Sequence, residues 1–125
     1  PSAMPAIMRA GKLQKRASLL GLDWSNSENI LNKISEELDE LKSEIEFSDS
    51  KSISMELGDL LFSCVNLARK LSVDPEKSLR QSNEKFSNRV KYIESLADFG
   101  KLKAMSAEKL NALWDNAKKN EDYYS

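Results

Sequence analysis

Apolar residues recur at helical spacing along most of the chain, and no segment alternates polar and apolar residues in the manner of a β-strand. Steps of three and four residues place side chains on one face of an α-helix. Three stripes with these steps are Ile34, Leu38, Leu41 and Ile45; Ile53, Leu57, Leu60, Cys64, Leu67 and Leu71; and Leu79, Asn83, Phe86, Val90, Ile93 and Ala97. The pattern predicts an all-α fold whose apolar faces exceed what one small bundle can cover.

Local sequence signals divide the pattern into five helices. Gly21 is the residue type that commonly follows the last turn of a helix. Ser25-x-x-Glu28 matches a capping box, and Asp74 precedes a proline suited to the first helical position. The helices are predicted from about Pro5 to Leu20, Ser25 to Phe47, Ile53 to Leu71, Pro75 to Ala97 and Ser106 to Lys119. The connections are predicted as a turn at Ser48–Ser50, an irregular stretch near Phe99-Gly100 and a frayed tail at Asn120–Ser125.

Length and charge set the class of protein. A chain of 125 residues suits one domain, here predicted over residues 1–125. Its 19 basic and 20 acidic side chains nearly cancel, so we expect neither nucleic acid nor an anionic membrane as a partner. No signal peptide and no run of 18 apolar residues are evident, which predicts a cytoplasmic location. Because the chain starts at Pro1, we expect it to be trimmed or to be a domain of a longer chain.

Two scarce residue types narrow the chemistry. The chain contains no histidine, which excludes catalytic triads that use histidine and zinc sites of the HExxH type. Its single cysteine, Cys64, excludes an internal disulfide and lies on an apolar stripe, where we expect it to be inert core. The remaining metal ligands are carboxylate oxygens, which suit Mg²⁺, Mn²⁺ or Ca²⁺.

Four carboxylates are expected to meet between the second and third helices. At about 100° per residue, Glu37 and Glu40 lie beside the apolar stripe of one helix, and Glu56 and Asp59 lie on the matching side of the next. The short turn implies antiparallel packing, which places Glu37 opposite Asp59 and Glu40 opposite Glu56. A solvated acidic flank is the alternative. The match in angle and level favours a divalent-metal site.

Polar residues on the fourth helix leave alternatives open. Lys85 and Arg89 lie four residues apart, so they form surface ion pairs or hold phosphate oxygens. Asn83 stands where the stripe would have an apolar residue, so it is either a buried hydrogen-bonding centre or a ligand contact.

Trp24 lies in the first predicted loop, where it either stacks on a base or caps the core.

Several ordered motifs resemble those of the MazG nucleotide pyrophosphohydrolases, which are all-α NTP pyrophosphatases. The acidic pair of motifs is Glu36-Glu37-x-x-Glu40 followed by Glu56-Leu57-Gly58-Asp59. The flanking matches are Val65-Asn66-Leu67-Ala68-Arg69, Asn83-Glu84-Lys85-Phe86-x-x-Arg89, Arg9-Ala10-x-Lys12-x-Gln14-Lys15-Arg16-Ala17, Gly21-x-Asp23-Trp24 and Trp114. The likeness covers almost the whole chain and is closest to the C-terminal domain of two-domain MazG proteins.

The resemblance implies hydrolysis of NTP or dNTP to the monophosphate and pyrophosphate, with Mg²⁺ or a substituting Mn²⁺, in nucleotide house-cleaning or regulation. It implies an antiparallel helical bundle completed by a homodimer or a dimer of dimers. The implied metal ligands are Glu37, Glu40, Glu56 and Asp59, and the implied catalytic residues are Glu36, Glu37, Lys85 and Arg89. The implied substrate contacts are Gln14, Trp24, Asn83, Lys85, Arg89 and Trp114. One departure is Ser52, where relatives can carry a lysine; Lys51 lies beside it.

A different class of function stays open at this point. The chain is either the enzyme or a non-catalytic helical dimerisation module that retains a divalent-metal site. Magnesium-dependent release of pyrophosphate distinguishes the two. Base preference, sugar preference and the general base do not follow from the sequence.

Overall fold

The computed structural model describes residues 4–23, 26–47 and 49–121, and within these ranges the chain is entirely helical and irregular, with no strand. Its helices are α1 (Ala6–Leu19), α2 (Ser27–Phe47), α3 (Ser50–Lys70), α4 (Pro75–Leu96), α5 (Phe99–Ala104) and α6 (Ala107–Glu121). The all-α prediction is confirmed. The predictions for Trp24, for a cap at Ser25 and for Ser48 lie outside the described residues. No helix in the described ranges is long and apolar enough to cross a membrane.

The end of α1 follows the predicted glycine signal. Gly21 has a φ of 85°, which glycine adopts without steric cost. The Leu22 amide donates to the Ala17 carbonyl at 2.9 Å, and the Gly21 amide donates to that of Ser18 at 3.0 Å. This pair of bonds is a Schellman motif, which satisfies carbonyls at the end of the helix.

Side-chain caps set the starts of the later helices. The Asn26 side chain accepts from the Asn29 amide at 2.8 Å, and α3 begins at Ser50 because Asp49 accepts from the Ser52 amide at 3.0 Å. The prediction placed that start at Ile53, three residues late. Asp74 caps α4 as predicted, with its Oδ1 3.0 Å from the Glu76 amide.

The stretch near Phe99 was predicted to be irregular, and this was wrong. Asp98 accepts from the Lys101 amide at 2.8 Å and starts the short helix α5. Gly100 weakens the helix signal of this segment. The Asp98 cap compensates, because it satisfies a backbone amide that the first helical turn otherwise leaves unpaired.

The chain divides into two compact units between Ser78 and Leu79. In the first unit, α3 packs against both α2 and α1. Ile30 of α2 is 1% exposed, and Val65 of α3 lies against Gly11 of α1, where an added Cβ would meet it at 3.9 Å. Glu37 of α2 contacts Ser63 of α3, whereas Glu40, which is later on α2, lies near Glu56, which is earlier on α3. These two helices therefore run antiparallel.

The face of α3 that turns inward is not the predicted apolar stripe. Ser63, Val65 and Asn66 are its buried residues, whereas Leu57 and Cys64 are exposed. The prediction of Cys64 as core was therefore wrong. The physical reason is that α1 covers Val65 and α2 covers a polar row, which leaves part of the stripe without a neighbour in a single chain.

In the second unit, aromatic and amide contacts join α4 to α6. The rings of Phe86 and Trp114 lie 5.3 Å apart at a tilt of 55°. The Tyr92 hydroxyl accepts from the Asn116 amide at 3.3 Å and also from that of Asn120. Asn83 is exposed, so its interpretation as a buried hydrogen-bonding centre was wrong.

Candidate metal centre

Two carboxylates face each other where α2 and α3 pair. Burial raises the pKa of Glu56, and so do a hydrogen bond with Glu40 and the negative charges of Glu40, Asp59 and Glu37, in that order. The Oε1 atom of Glu56 is buried and has no hydrogen-bond donor. These surroundings disfavour the ionised form of Glu56, so a proton or a cation at this carboxylate would stabilise the arrangement.

Glu37 is the most buried acid of the set, with 6% of its surface exposed. Its Oε1 accepts a hydrogen bond from the Ser63 Oγ at 3.0 Å, and the Lys33 ammonium lies 3.6 Å from the same oxygen. Its Oε2 is buried without a donor. One oxygen of this carboxylate is therefore satisfied by protein, and the other is left for a ligand.

The acids are neighbours, but they do not form a finished coordination shell. Over residues 4–23, 26–47 and 49–121, no three acidic or cysteine side chains converge closely enough to hold a metal ion. Glu40 and Asp59 are exposed, as is Glu36 beside Glu37. The unpaired oxygens of Glu37 and Glu56, and the all-oxygen donor set, fit Mg²⁺ or Mn²⁺.

A cavity of about 310 Å³ adjoins these acids between α2 and α3. Its lining consists of Ile30, Lys33, Glu37, Asp59, Phe62, Ser63 and Asn66. Sequence reasoning missed Lys33, Ser63 and Asn66. A signal for them exists in the spacing of two rows, each with steps of three, four and three residues. The rows are Ile30, Lys33, Glu37 and Glu40 on α2, and Glu56, Asp59, Ser63 and Asn66 on α3.

An ion-pair network of Asp23, Arg69 and Lys70 adjoins Asn66, which is one of the residues lining this cavity. Asp23 accepts from the Arg69 Nη2 at 2.6 Å and from the Lys70 Nζ at 2.7 Å. Hydrogen bonds from Lys70 and then Arg69 lower the pKa of Asp23 to about 2. The stabilisation from this depressed pKa is present above about pH 4 and is lost as the pH falls towards 2. Arg69 also donates to the Oδ1 of Asn66, from Nε at 3.2 Å and from Nη2 at 2.8 Å.

Gln14 lies in a second cavity, of about 420 Å³, between α1, the residues after it and α3. It is 3% exposed, and its Nε2 donates to the Phe62 carbonyl at 2.9 Å. Its Oε1 has no donor. Leu22, Asp23 and Phe62 are among the other lining residues.

The predicted phosphate contacts lie in the second unit. The Arg89 Nε donates to Glu121 at 2.8 Å, and its guanidinium carbon lies 5.4 Å from the centre of the Trp114 ring. Lys85 and Asn83 are exposed on α4. Three of the six predicted substrate residues, Asn83, Lys85 and Arg89, therefore share one helix, and Arg89 also contacts another of the six, Trp114.

The departure at position 52 also has a structural context. Ser52 lies in the first turn of α3, where its amide donates to the Asp49 cap at 3.0 Å. Lys51 is exposed beside it. A lysine ammonium is therefore available near this helix start, although it is displaced by one residue.

Comparisons with known proteins identify the family. The model of the MazG nucleotide pyrophosphohydrolase domain matches residues 25–93. A Thermotoga maritima protein, named nucleoside triphosphate pyrophosphohydrolase/pyrophosphatase MazG, is 44% identical over 117 residues, which are 92% of this chain and 45% of that protein. The nucleoside triphosphate pyrophosphohydrolase of Escherichia coli K12 is 36% identical over 125 residues, covering 97% of this chain and 48% of that protein.

The chain thus spans about half the length of the curated relatives it matches. The matched residues 25–93 are more than half of the chain and include all four facing carboxylates. Motif order, helical fold and sequence identity agree. The chain belongs to the MazG nucleotide pyrophosphohydrolase family.

Proposed function

We propose that this protein hydrolyses nucleoside triphosphates, ribo or deoxy, to the monophosphate and pyrophosphate in a magnesium-dependent reaction. The observation that carries the proposal is that Glu37, which lines a cavity, and Glu56 each have a buried carboxylate oxygen without a hydrogen-bond donor. The names of the Thermotoga maritima and Escherichia coli relatives support the same reaction. We further propose a cytoplasmic role in nucleotide house-cleaning or regulation.

Glu37, Glu40, Glu56 and Asp59 are the proposed ligands of Mg²⁺. The bound ion would neutralise the triphosphate and lower the pKa of a bound water. The Lys33 ammonium, 3.6 Å from Glu37, partly offsets the acidic charge of the metal-free site. We assign acid–base work on the water to the Glu36–Glu37 pair. Glu37 is held in place by Ser63, whereas Glu36 is exposed beside it.

Residues outside the acidic cluster are proposed to bind the rest of the nucleotide. Lys85 and Arg89 would stabilise charge on the leaving pyrophosphate. Asn83, Trp24 and Trp114 are proposed as further substrate contacts. The buried, unpaired Oε1 of Gln14 supports a role for this residue beside the base.

A non-catalytic dimerisation module is the second candidate. The exposed apolar residues of α2 and α3 favour it. It differs from the enzyme in one measurable respect, because it would bind Mg²⁺ without releasing pyrophosphate.

We expect pyrophosphate release from at least one of a panel of ribo and deoxy triphosphates, and its loss when the metal is chelated. Asp59→Ala and Glu56→Gln should each lower activity and Mg²⁺ affinity together. In the metal-free protein at pH 7, Glu56→Gln should melt at or above the wild-type temperature. Its raised pKa means that ionised Glu56 destabilises the fold as the pH rises above its ordinary value of 4.5.

The matched control is Glu46→Gln, which removes an exposed acid from the same helix pair outside the cluster. It should leave activity and Mg²⁺ affinity unchanged. Full activity in Asp59→Ala would refute the ligand assignment. Tight Mg²⁺ binding without pyrophosphate release from any triphosphate would instead select the dimerisation module.

Lys85→Ala and Arg89→Lys should lower turnover by about 10²-fold, comparable to the loss of one oxyanion donor. Arg89→Lys retains the charge but removes the bidentate fork. Glu121→Gln removes the ion pair of Arg89 and leaves both cations in place, so it measures what the ion pair contributes to stability alone. This variant should lower the free energy of unfolding by about 0–1 kcal/mol. Wild-type turnover in both cation variants would leave only the ion-pair interpretation.

We also propose that two or four chains complete the antiparallel bundle. Leu57, Leu61 and Met55 on α3, with Leu38 and Ile45 on α2, are all at least 44% exposed in one chain. Apolar surface of this kind is typically covered by a partner. Light scattering at micromolar concentration should give at least twice the chain mass of 14.1 kDa. A stable monomer would contradict this proposal.

A further inference from the structure

The cavity between α2 and α3 changes character along its length. Asp59, Ser63 and Asn66 line it on successive turns of α3, so the lining passes from a carboxylate to uncharged side chains, and Glu37 of α2 lies beside Ser63. Ser63 is 5% exposed and Asn66 is 3% exposed. Polar side chains buried to this degree require hydrogen-bond partners, so the direction of each bond is informative.

Asn66 has its amide orientation fixed by Arg69. A guanidinium has only donors, so the atom that accepts from the Arg69 Nε at 3.2 Å and Nη2 at 2.8 Å must be the amide oxygen. Arg69 is anchored in turn by Asp23 at 2.6 Å. The oxygen of Asn66 is therefore committed, and the group that it can offer to the cavity is the NH₂ donor.

Ser63 is committed in the opposite sense. Its hydroxyl donates to the Glu37 Oε1 at 3.0 Å, so the proton is used and the oxygen lone pairs remain. Ser63 and Asn66 lie three residues apart, on one face of α3. Together they offer one acceptor and one donor.

A hydroxyl group is the complement of this pair, since it donates one hydrogen bond and accepts another. A phosphate oxygen only accepts, so it would leave the Ser63 lone pairs facing an anion. The charged lining residues also disfavour a phosphate here, because the single positive charge of Lys33 is outnumbered by the negative charges of Glu37 and Asp59. Ile30 and Phe62 add apolar walls that suit the C–H faces of a sugar ring.

We infer that the Ser63–Asn66 end of this cavity is a pentose subsite, in which Asn66 donates a hydrogen bond to a sugar hydroxyl of the nucleotide. Arg69 is the positioning residue that turns the amide, and Asp23 holds Arg69. The cavity volume of about 310 Å³ is near the lower limit of ligand pockets, roughly 300–1,000 Å³, so it accommodates part of a nucleotide. This inference rests on the proposed hydrolysis of nucleoside triphosphates.

The test combines removal of the Asn66 side-chain amide from the protein with removal of a sugar hydroxyl from the nucleotide. The kcat and KM values are measured for ATP, GTP, CTP and UTP and for their 2′-deoxy and 3′-deoxy analogues. For wild type, one class of analogue should lose about tenfold in kcat/KM, as expected for one hydrogen bond. Asn66→Leu should lose about tenfold on the parent nucleotide, chiefly through KM, and should no longer distinguish parent from analogue.

Two further variants separate positioning from charge. Arg69→Met and Lys70→Met each remove one ion pair of Asp23, but only the first also releases the Asn66 oxygen. Arg69→Met should lose discrimination between parent and analogue, whereas Lys70→Met should retain it. Circular dichroism on each variant establishes that the fold is intact.

The outcomes are distinct. Wild-type hydrolysis with equal kcat/KM for all sugars would overturn the pentose subsite and leave the proposed function intact. Unchanged discrimination between parent and analogue in Asn66→Leu would overturn the role of Asn66 at the sugar. If kcat/KM were also unchanged, Asn66 would make no substrate contact, whereas an equal loss on parent and analogues would assign its donor to another part of the nucleotide. No hydrolysis of any triphosphate by wild type would overturn the proposed function and this inference together.

Discussion

The pairing of α2 and α3 brings Glu40 and Glu56 near each other, and their like charges oppose that pairing. Like charges at short range destabilise the fold unless a proton or a cation neutralises one of them. The pairing tolerates this repulsion because it is fixed elsewhere, by the buried Ile30 and by the Ser63–Glu37 hydrogen bond. Neutralisation by a proton or a divalent cation would relieve the repulsion, so the proposed metal binding would also stabilise the helix pair.

The two helices present matched rows whose polarity changes from one end to the other. The acidic end, with Glu40 and Glu56, suits a metal ion and the phosphates that follow it. The far end, with Ser63 and Asn66, has neutral hydrogen-bonding groups that are oriented by Glu37 and Arg69. One helix pair therefore provides an acidic surface and a neutral, hydrogen-bonding surface, which is what the proposed substrate, with its anionic end and its neutral end, requires.

Much of the helical fold could be predicted because its signals are local. Gly21 and Asp74 act within one turn, and the structure shows both where the sequence predicts them. The inward face of α3 could not be predicted from periodicity alone. Cys64 follows the apolar spacing, yet the helices that cover α3 in one chain lie over Val65 and the polar row. A stripe shows which residues favour burial but not which neighbour is available.

The site was foreseen only in part, for a related reason. Glu40 and Glu56 belong to recognisable acidic motifs, and the structure places them together. Ser63 belongs to no motif, and Asn66 belongs only to a flanking match that gave it no role. Ser63 is oriented by Glu37 across the helix pair, and Asn66 is oriented by Arg69, which Asp23 holds from another part of the chain. Their signal was the spacing of α3's polar row, which becomes visible only when the row on α2 is aligned with it.

Crystals grown with Mn²⁺, measured at a wavelength where manganese scatters anomalously, would test the central claim most directly. The claim is that a divalent cation neutralises the facing acids of α2 and α3. It predicts an anomalous peak within bonding distance of the carboxylate oxygens of Glu37, Glu40, Glu56 and Asp59. A peak bound elsewhere, or an empty site at millimolar Mn²⁺, would contradict it.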